Sequence, residues 1–153
     1  GYFGLGEVFV FVFFGVVATT GTTFVITEKL TATSFTASLV VGALACALLA
    51  VNNLRDIDGD TLARKRTLAV RLGDKKARSF FVSLFVLALL AIFMLALSYP
   101  LALLGLIGLS SAFASIKRVR SGAVGSELIS VLSMTGRTQI LTAITLSIGL
   151  ILS

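Results

Sequence analysis

Three of the seven acidic residues in this 153-residue chain fall within five positions, Asp56, Asp58 and Asp60, just beyond the paired amides Asn52 and Asn53. Arg55 precedes the first acid, and a basic run, Arg64-Lys65-Arg66, follows the last. Asn53, Asp56 and Asp60 are separated by three and then four residues, which puts them on one face if the preceding helix continues through them. Two carboxylates and an amide oxygen sharing a face repel one another unless a cation sits between them. Hard oxygen donors suit Mg²⁺, which is typically held by one or two carboxylates and completed by water and substrate phosphates. Arg55, Arg64, Lys65 and Arg66 supply the complementary half, Arg engaging phosphate oxygens in pairs and Lys acting as a point charge. Metal and cations together neutralise the charge that develops when a diphosphate leaves carbon. The alternative is a set of interfacial ion pairs between these acids and the same basic residues. Asp58 points off the shared face and is expected to be a solvated acid.

Two similar motifs fail on spacing. Asp56-x-Asp58-x-Asp60 imitates the start of an EF-hand loop, but Gly59 is at its fourth position rather than the sixth, and Thr67 occupies the twelfth, where Glu belongs. Asp58-Gly59 with Ala63-Arg64 and Gly73 resembles a CDP-alcohol phosphotransferase signature. There the insert is one residue too long, and Ala77 stands where Asp is required. With no His and the single Cys46, a zinc, haem or iron–sulfur site is not expected. Cys46 reads as a small lipid- or helix-facing residue.

The elements that position these residues follow from hydropathy. Hydrophobic residues make up 57% and charged residues 13%, against about 25% charged in soluble domains, and the mean hydropathy is +1.06. Uncharged runs of 20, 25 and 38 residues separate Glu7 from Glu28, Lys29 from Arg55, and Arg78 from Lys117. A membrane-crossing helix needs roughly 20 apolar residues. The expected fold is therefore an all-α, polytopic membrane helical bundle with about five transmembrane helices: Leu5 to Ile26, Phe35 to Leu54, 79–97, 101–116, and Thr138 to Ser153, the last short for a span and so either extended backwards past Arg137 or cut off at its end. The only proline makes Ser98-Tyr99-Pro100 the hairpin that divides the longest run.

The net charge of +6 then concerns the bilayer, and no nucleic-acid partner is expected. Eight of the thirteen Lys and Arg residues lie in 55–78 and four in 117–137. Five alternating crossings put both basic loops on one side, which the positive-inside rule makes cytoplasmic, with the C-terminus outside a cell inner or plasma membrane. The chain lacks an initiator Met and a signal-peptide pattern, and reads as part of something longer.

Asn52-Asn53-Leu54-Arg55-Asp56…Asp60…Lys65-Arg66-Thr67-Leu68-Ala69-Val70-Arg71-Leu72-Gly73 closely resembles the second aspartate-rich motif of the UbiA superfamily of membrane prenyltransferases. Its wording is similar to the branch that acts on 1,4-dihydroxy-2-naphthoate in menaquinone synthesis. Gly4-Leu5-Gly6-Glu7 with Thr20-Gly21-Thr22, and Ser121-Gly122-Ala123 with Thr135-Gly136-Arg137-Thr138, resemble the same branch. The likeness extends over essentially the whole chain.

This resemblance implies a bundle of about nine helices, with two aspartate-rich motifs facing each other over a cytosol-facing cavity. Residues 1–153 would be the C-terminal part of that domain, partnered by missing N-terminal helices of the same protein. Asp56 and Asp60 would be catalytic Mg²⁺ ligands. Asn53 would be a ligand or diphosphate contact, with Arg55, Lys65 and Arg66 as diphosphate contacts. The implied substrates are a polyprenyl diphosphate and 1,4-dihydroxy-2-naphthoate, joined with decarboxylation to give demethylmenaquinone. Alternatives are another aromatic acceptor or a non-catalytic membrane module. The first motif, NDxxDxxxD, does not occur in this sequence, so these residues alone are expected to be inactive. Arg64 stands where the branch usually has Gly. Phe9, Phe11, Phe13 and Phe14 are candidates for lining a prenyl-tail groove or for lipid contact, and Glu7 for positioning the acceptor or marking the interface.

Overall fold

The computed structural model describes residues 4–153. Eight helical elements follow in order: α1 Gly6–Thr27, α2 Ala32–Arg55, α3 Ile57–Leu62, α4 Leu68–Leu72, α5 Asp74–Ala96, α6 Pro100–Ser110, α7 Ala112–Arg120 and α8 Glu127–Leu152. No strand occurs among the described residues. Helices α1, α2, α5 and α8 are long and apolar enough to cross a membrane, and α6 with α7 forms a further candidate span bent by 47°.

The centre of the bundle is α2, along which α5 packs. Ala43, Ala47 and Ala50 of α2 and Ala88 and Ala91 of α5 are all buried; without bulky side chains, these backbones approach closely, as membrane helices require when lipid offers no hydrophobic drive. Leu44 and Val51 of α2 and Phe81 and Ile92 of α5 are buried in the same core, with Phe81 and Phe85 edge to face at 5.1 Å. A capping box starts α2: the Thr31 side chain accepts from the Ser34 N–H at 3.0 Å, and the Thr31 N–H donates to Ser34 Oγ at 3.3 Å.

Most of α1 is exposed, and it leans on α2 through one tight crossing. Its middle, Phe11–Val17, winds as a π-helix. There a Cβ on Gly15 would lie 2.5 Å from the Gly42 Cα, so two glycines facing each other set how near α1 comes.

Four of the expected spans are single long helices, and the one expected over 101–116 is instead the α6–α7 pair, bent at Ser111; two further limits also differ. The third expected helix begins at Asp74 rather than residue 79, because Asp74 and Arg78 form an i,i+4 ion pair at 2.8 Å that carries the helix past its apolar stretch. The fifth is extended backwards past Arg137, one of the two expected variants, and begins at Glu127, so Arg137 is an exposed residue within α8 and only 121–126 connects α7 to α8. A helix is not bound to start where hydropathy does. The two basic segments do meet at one end of the bundle: Arg78 Nη1 donates to the Val119 carbonyl at 2.7 Å, tying the start of α5 to the end of α7.

Candidate functional site

The acid-rich segment begins where α2 loosens. Asp56 (φ −95°, ψ 8°) interrupts the helix without ending its hydrogen-bond ladder. The Asp56 N–H donates to Asn52 O at 3.2 Å, and the Asp60 N–H donates to Asp56 O at 2.8 Å. Asp56 and Asp60 therefore stay one turn apart across the break.

Each carboxylate is held by a basic residue. Arg55 donates Nε and Nη2 to the two Asp56 oxygens at 2.7 and 2.8 Å. That bidentate bond holds the Asp56 carboxyl below the usual carboxylate range. Lys65 Nζ donates to Asp60 Oδ1 at 3.1 Å, bringing the basic run back to the short helix α3. The Asp60 side chain is 10% exposed and that of Asp56 is 40% exposed, so one acid is enclosed and the other open. Asp58 is exposed, as its place off the face requires.

Asn53 is turned elsewhere: its Nδ2 donates to Glu7 Oε1 of α1 at 2.8 Å. Glu7 is buried, and its Oε2 has no hydrogen-bond partner among the described residues. Cys46 is a helix-facing residue, and its thiol donates to the Glu7 carbonyl at 3.0 Å. Gly4 (φ +63°) presses on the basic segment so closely that a Cβ there would meet Arg66 O at 2.6 Å. This contact leaves a cavity of about 160 Å³ lined by Gly4, Gly6, Glu7, Leu49, Asn53 and Thr67. Buried Thr67 opens α4 by accepting from the Val70 N–H at 3.4 Å.

The predicted site residues thus fall into three groupings. Asp56 with Arg55 and Asp60 with Lys65 are brought together as pairs, whereas Asn53 is drawn toward Glu7. Arg66 is exposed and forms no ion pair among the described residues. Arg64 adopts φ +55°, the left-handed region that a glycine occupies without strain. Sequence reasoning left Glu7 undecided. Its signal was an acid at the head of a 20-residue uncharged run, where an ionisable group is costly without a partner.

Beside Asn53, an open and mainly apolar cavity of about 440 Å³ runs between Val10 and Phe14 of α1, Leu48, Leu49 and Asn52 of α2, and Gln139 of α8. Phe9 and Phe13 stack on one another at 5.9 Å and are exposed, while Phe11 packs toward the core. Of the four phenylalanines, only Phe14 lines this cavity.

Among the described residues no three His, Cys, Asp or Glu side chains gather around one point. The donors at hand are two carboxylates one turn apart and an amide, with cations beside them. That set does not make a closed cage, and it fits Mg²⁺, which takes one or two carboxylates and leaves its other positions to phosphate and water.

Relatives include 1,4-dihydroxy-2-naphthoate octaprenyltransferases of Mycobacterium tuberculosis (42% identical, over 94% of this chain and 49% of the relative) and Mycobacterium leprae (39%, over 100% and 52%). The Escherichia coli protein of the same name is 32% identical over 100% of this chain and 51% of its own length. The chain spans about half the length of the curated relatives it matches. No solved structure matches it. Residues 1–151 match the UbiA prenyltransferase family, and the chain belongs to that family.

Proposed function

We propose that this chain is the C-terminal part of a nine-helix, Mg²⁺-dependent membrane prenyltransferase. It would transfer a polyprenyl group from its diphosphate to 1,4-dihydroxy-2-naphthoate, with loss of the carboxylate, in menaquinone synthesis. The single observation that carries the reading is the pair of carboxylates, Asp56 and Asp60, held one turn apart at the end of α2. The names of the relatives support the donor and the acceptor.

Asp56 and Asp60, with the Asn53 amide oxygen, are the residues that would hold Mg²⁺; when bound, it neutralises charge on the departing diphosphate. Arg55 and Lys65 would then exchange carboxylate for phosphate oxygens, and Arg66 would join them from the exposed side. These cations stabilise the leaving group as the allylic C–O bond breaks and its electron pair departs with oxygen. The cavity between Val10, Phe14, Leu48 and Leu49 would take the isoprenoid tail, with Asn52 on its lining four residues before Asp56. Apolar walls, once the cavity is closed over, would keep water from the prenyl cation until the electron-rich ring attacks it. The basic segments 55–78 and 117–120 would face the cytoplasm, as their shared end of the bundle and the positive-inside rule favour.

The test is transfer of a radiolabelled prenyl group to 1,4-dihydroxy-2-naphthoate by the full-length protein in membranes, with and without Mg²⁺. Asp56→Asn is expected to reduce transfer by roughly a hundredfold or more. Full activity in that variant overturns the assignment of Asp56. No transfer to the naphthoate by folded wild-type protein overturns the acceptor.

A further inference from the structure

Away from the acid-rich segment, a second cavity of about 530 Å³ opens between the start of α5 and the end of α7, lined by Asp74, Lys75, Arg78, Ser79, Val82 and Arg120, among others. Its charges are unequal: three cations face one carboxylate. Arg78 is already committed, to both oxygens of Asp74 and to the Val119 carbonyl. Lys75 on the α5 wall and Arg120 on the α7 wall are exposed and form no ion pair among the described residues. The lining therefore presents two uncompensated positive charges at the end of the bundle where the basic segments meet.

Val82 also lines a neighbouring apolar groove of about 360 Å³, between α5 and the bent α6–α7 pair. Phe85, Leu109 and Ala112 form its buried floor, and Val86 and Phe113 are exposed along its rim. From Lys75 to Leu89 the two cavities follow α5 for about 21 Å at 1.5 Å per residue. One leaflet of hydrocarbon is about 15 Å thick, so this length suits one headgroup and the leaflet beneath it. A cationic mouth continuous with an apolar trough fits an amphiphile whose phosphate and tail are bound separately.

We propose that the groove between α5 and α6–α7 binds one anionic phospholipid of the surrounding bilayer, its phosphate between Lys75 and Arg120 and an acyl chain along Val82, Val86 and Phe113. A zwitterionic lipid would bring a third cation into the mouth, so the site selects against it. The site shares no residue with the Asp56–Asp60 segment, and the proposal does not depend on the prenyltransferase reading.

The full-length protein in detergent, titrated with phosphatidylglycerol or phosphatidylcholine, gives the test by native mass spectrometry. Wild type is expected to retain one phosphatidylglycerol with a preference on the order of tenfold. Lys75→Ser/Arg120→Ser is expected to abolish that preference, each single variant to reduce it, and Val86→Trp to reduce retention of both lipids with the cations intact. Unchanged selectivity in the folded double variant overturns the proposal. So does displacement of the phosphatidylglycerol by farnesyl diphosphate in Asp56→Asn protein, which would make the occupant a prenyl donor.

Discussion

The buried carboxylate of Glu7 accepts a hydrogen bond from Asn53 Nδ2 at 2.8 Å, joining the first helix to the acid-rich end of the second. Glu7 Oε1 is the acceptor, so the Asn53 amide turns its NH₂ toward Glu7 and its carbonyl oxygen away. The amide thereby becomes an oriented oxygen donor on the same helical stretch as Asp56. If Asn53 serves the metal, Glu7 acts through it, as partners behind metal ligands commonly do. Glu7→Ala should raise the Mg²⁺ concentration for half-maximal transfer about tenfold. Glu7→Gln, which still offers an acceptor, should stay near wild type. Mn²⁺ binding followed by electron paramagnetic resonance checks the same order without turnover, and equal Mn²⁺ affinities in wild type and Glu7→Ala would remove Glu7 from this role.

The bidentate Arg55–Asp56 pair predicts a pH dependence. Hydrogen bonding from Arg55 lowers the Asp56 carboxyl in the folded protein. The stabilisation is therefore complete above the unfolded value, near pH 4, and is lost as pH falls through the lower folded value. The melting temperature of Arg55→Gln should lie below that of wild type by a constant amount from about pH 5 upward, and the gap should close in more acidic buffer. A gap that widens on acidification contradicts the pairing.

Arg64 holds φ +55° with a side chain attached. A left-handed conformation costs an L-residue about 1–2 kcal/mol, and glycine's extra unfolded-state entropy offsets part of that. Arg64→Gly should stabilise the fold by up to about 1 kcal/mol, whereas Arg64→Ala, which keeps the strain, should not. Equal stability of the two variants in a denaturant titration would show that the backbone here relaxes without penalty.

Two glycines of α1 should respond oppositely to alanine. At Gly15 a Cβ would meet the Gly42 Cα at 2.5 Å, whereas at Gly21 nothing lies within 4 Å. Gly15→Ala should force α1 off α2, destabilising by about 1–3 kcal/mol and weakening the Glu7–Asn53 bond. Gly21→Ala should be neutral or stabilising by up to about 1 kcal/mol. Unfolding in mixed micelles distinguishes the two, and a neutral Gly15→Ala would mean that the crossing is not set by this contact.

The four long apolar helices, the break before Pro100 and the grouping of acids with bases were all legible in the linear chain, because each depends on local quantities. Hydropathy over roughly 20 residues sets a span, a proline ends a helix, and i,i+3 and i,i+4 spacing sets a shared face. Helix limits were less legible. Asp74–Arg78 carries α5 beyond its apolar stretch, and α8 continues through Arg137 to Glu127, since a polar turn remains helical where interface or neighbouring helix supports it. The partner of each polar group was settled only in three dimensions. Asn53 and Glu7 are 46 residues apart, and the two meet because Gly15 and Gly42 let α1 lie close against α2 and Gly4 fits beneath Arg66. Composition and spacing determined that this is a membrane bundle with an acid–base segment at a helix end. Tertiary packing decided which oxygen faces which cation, because a hydrogen bond requires about 3 Å between atoms and spacing along one helix says nothing of the next.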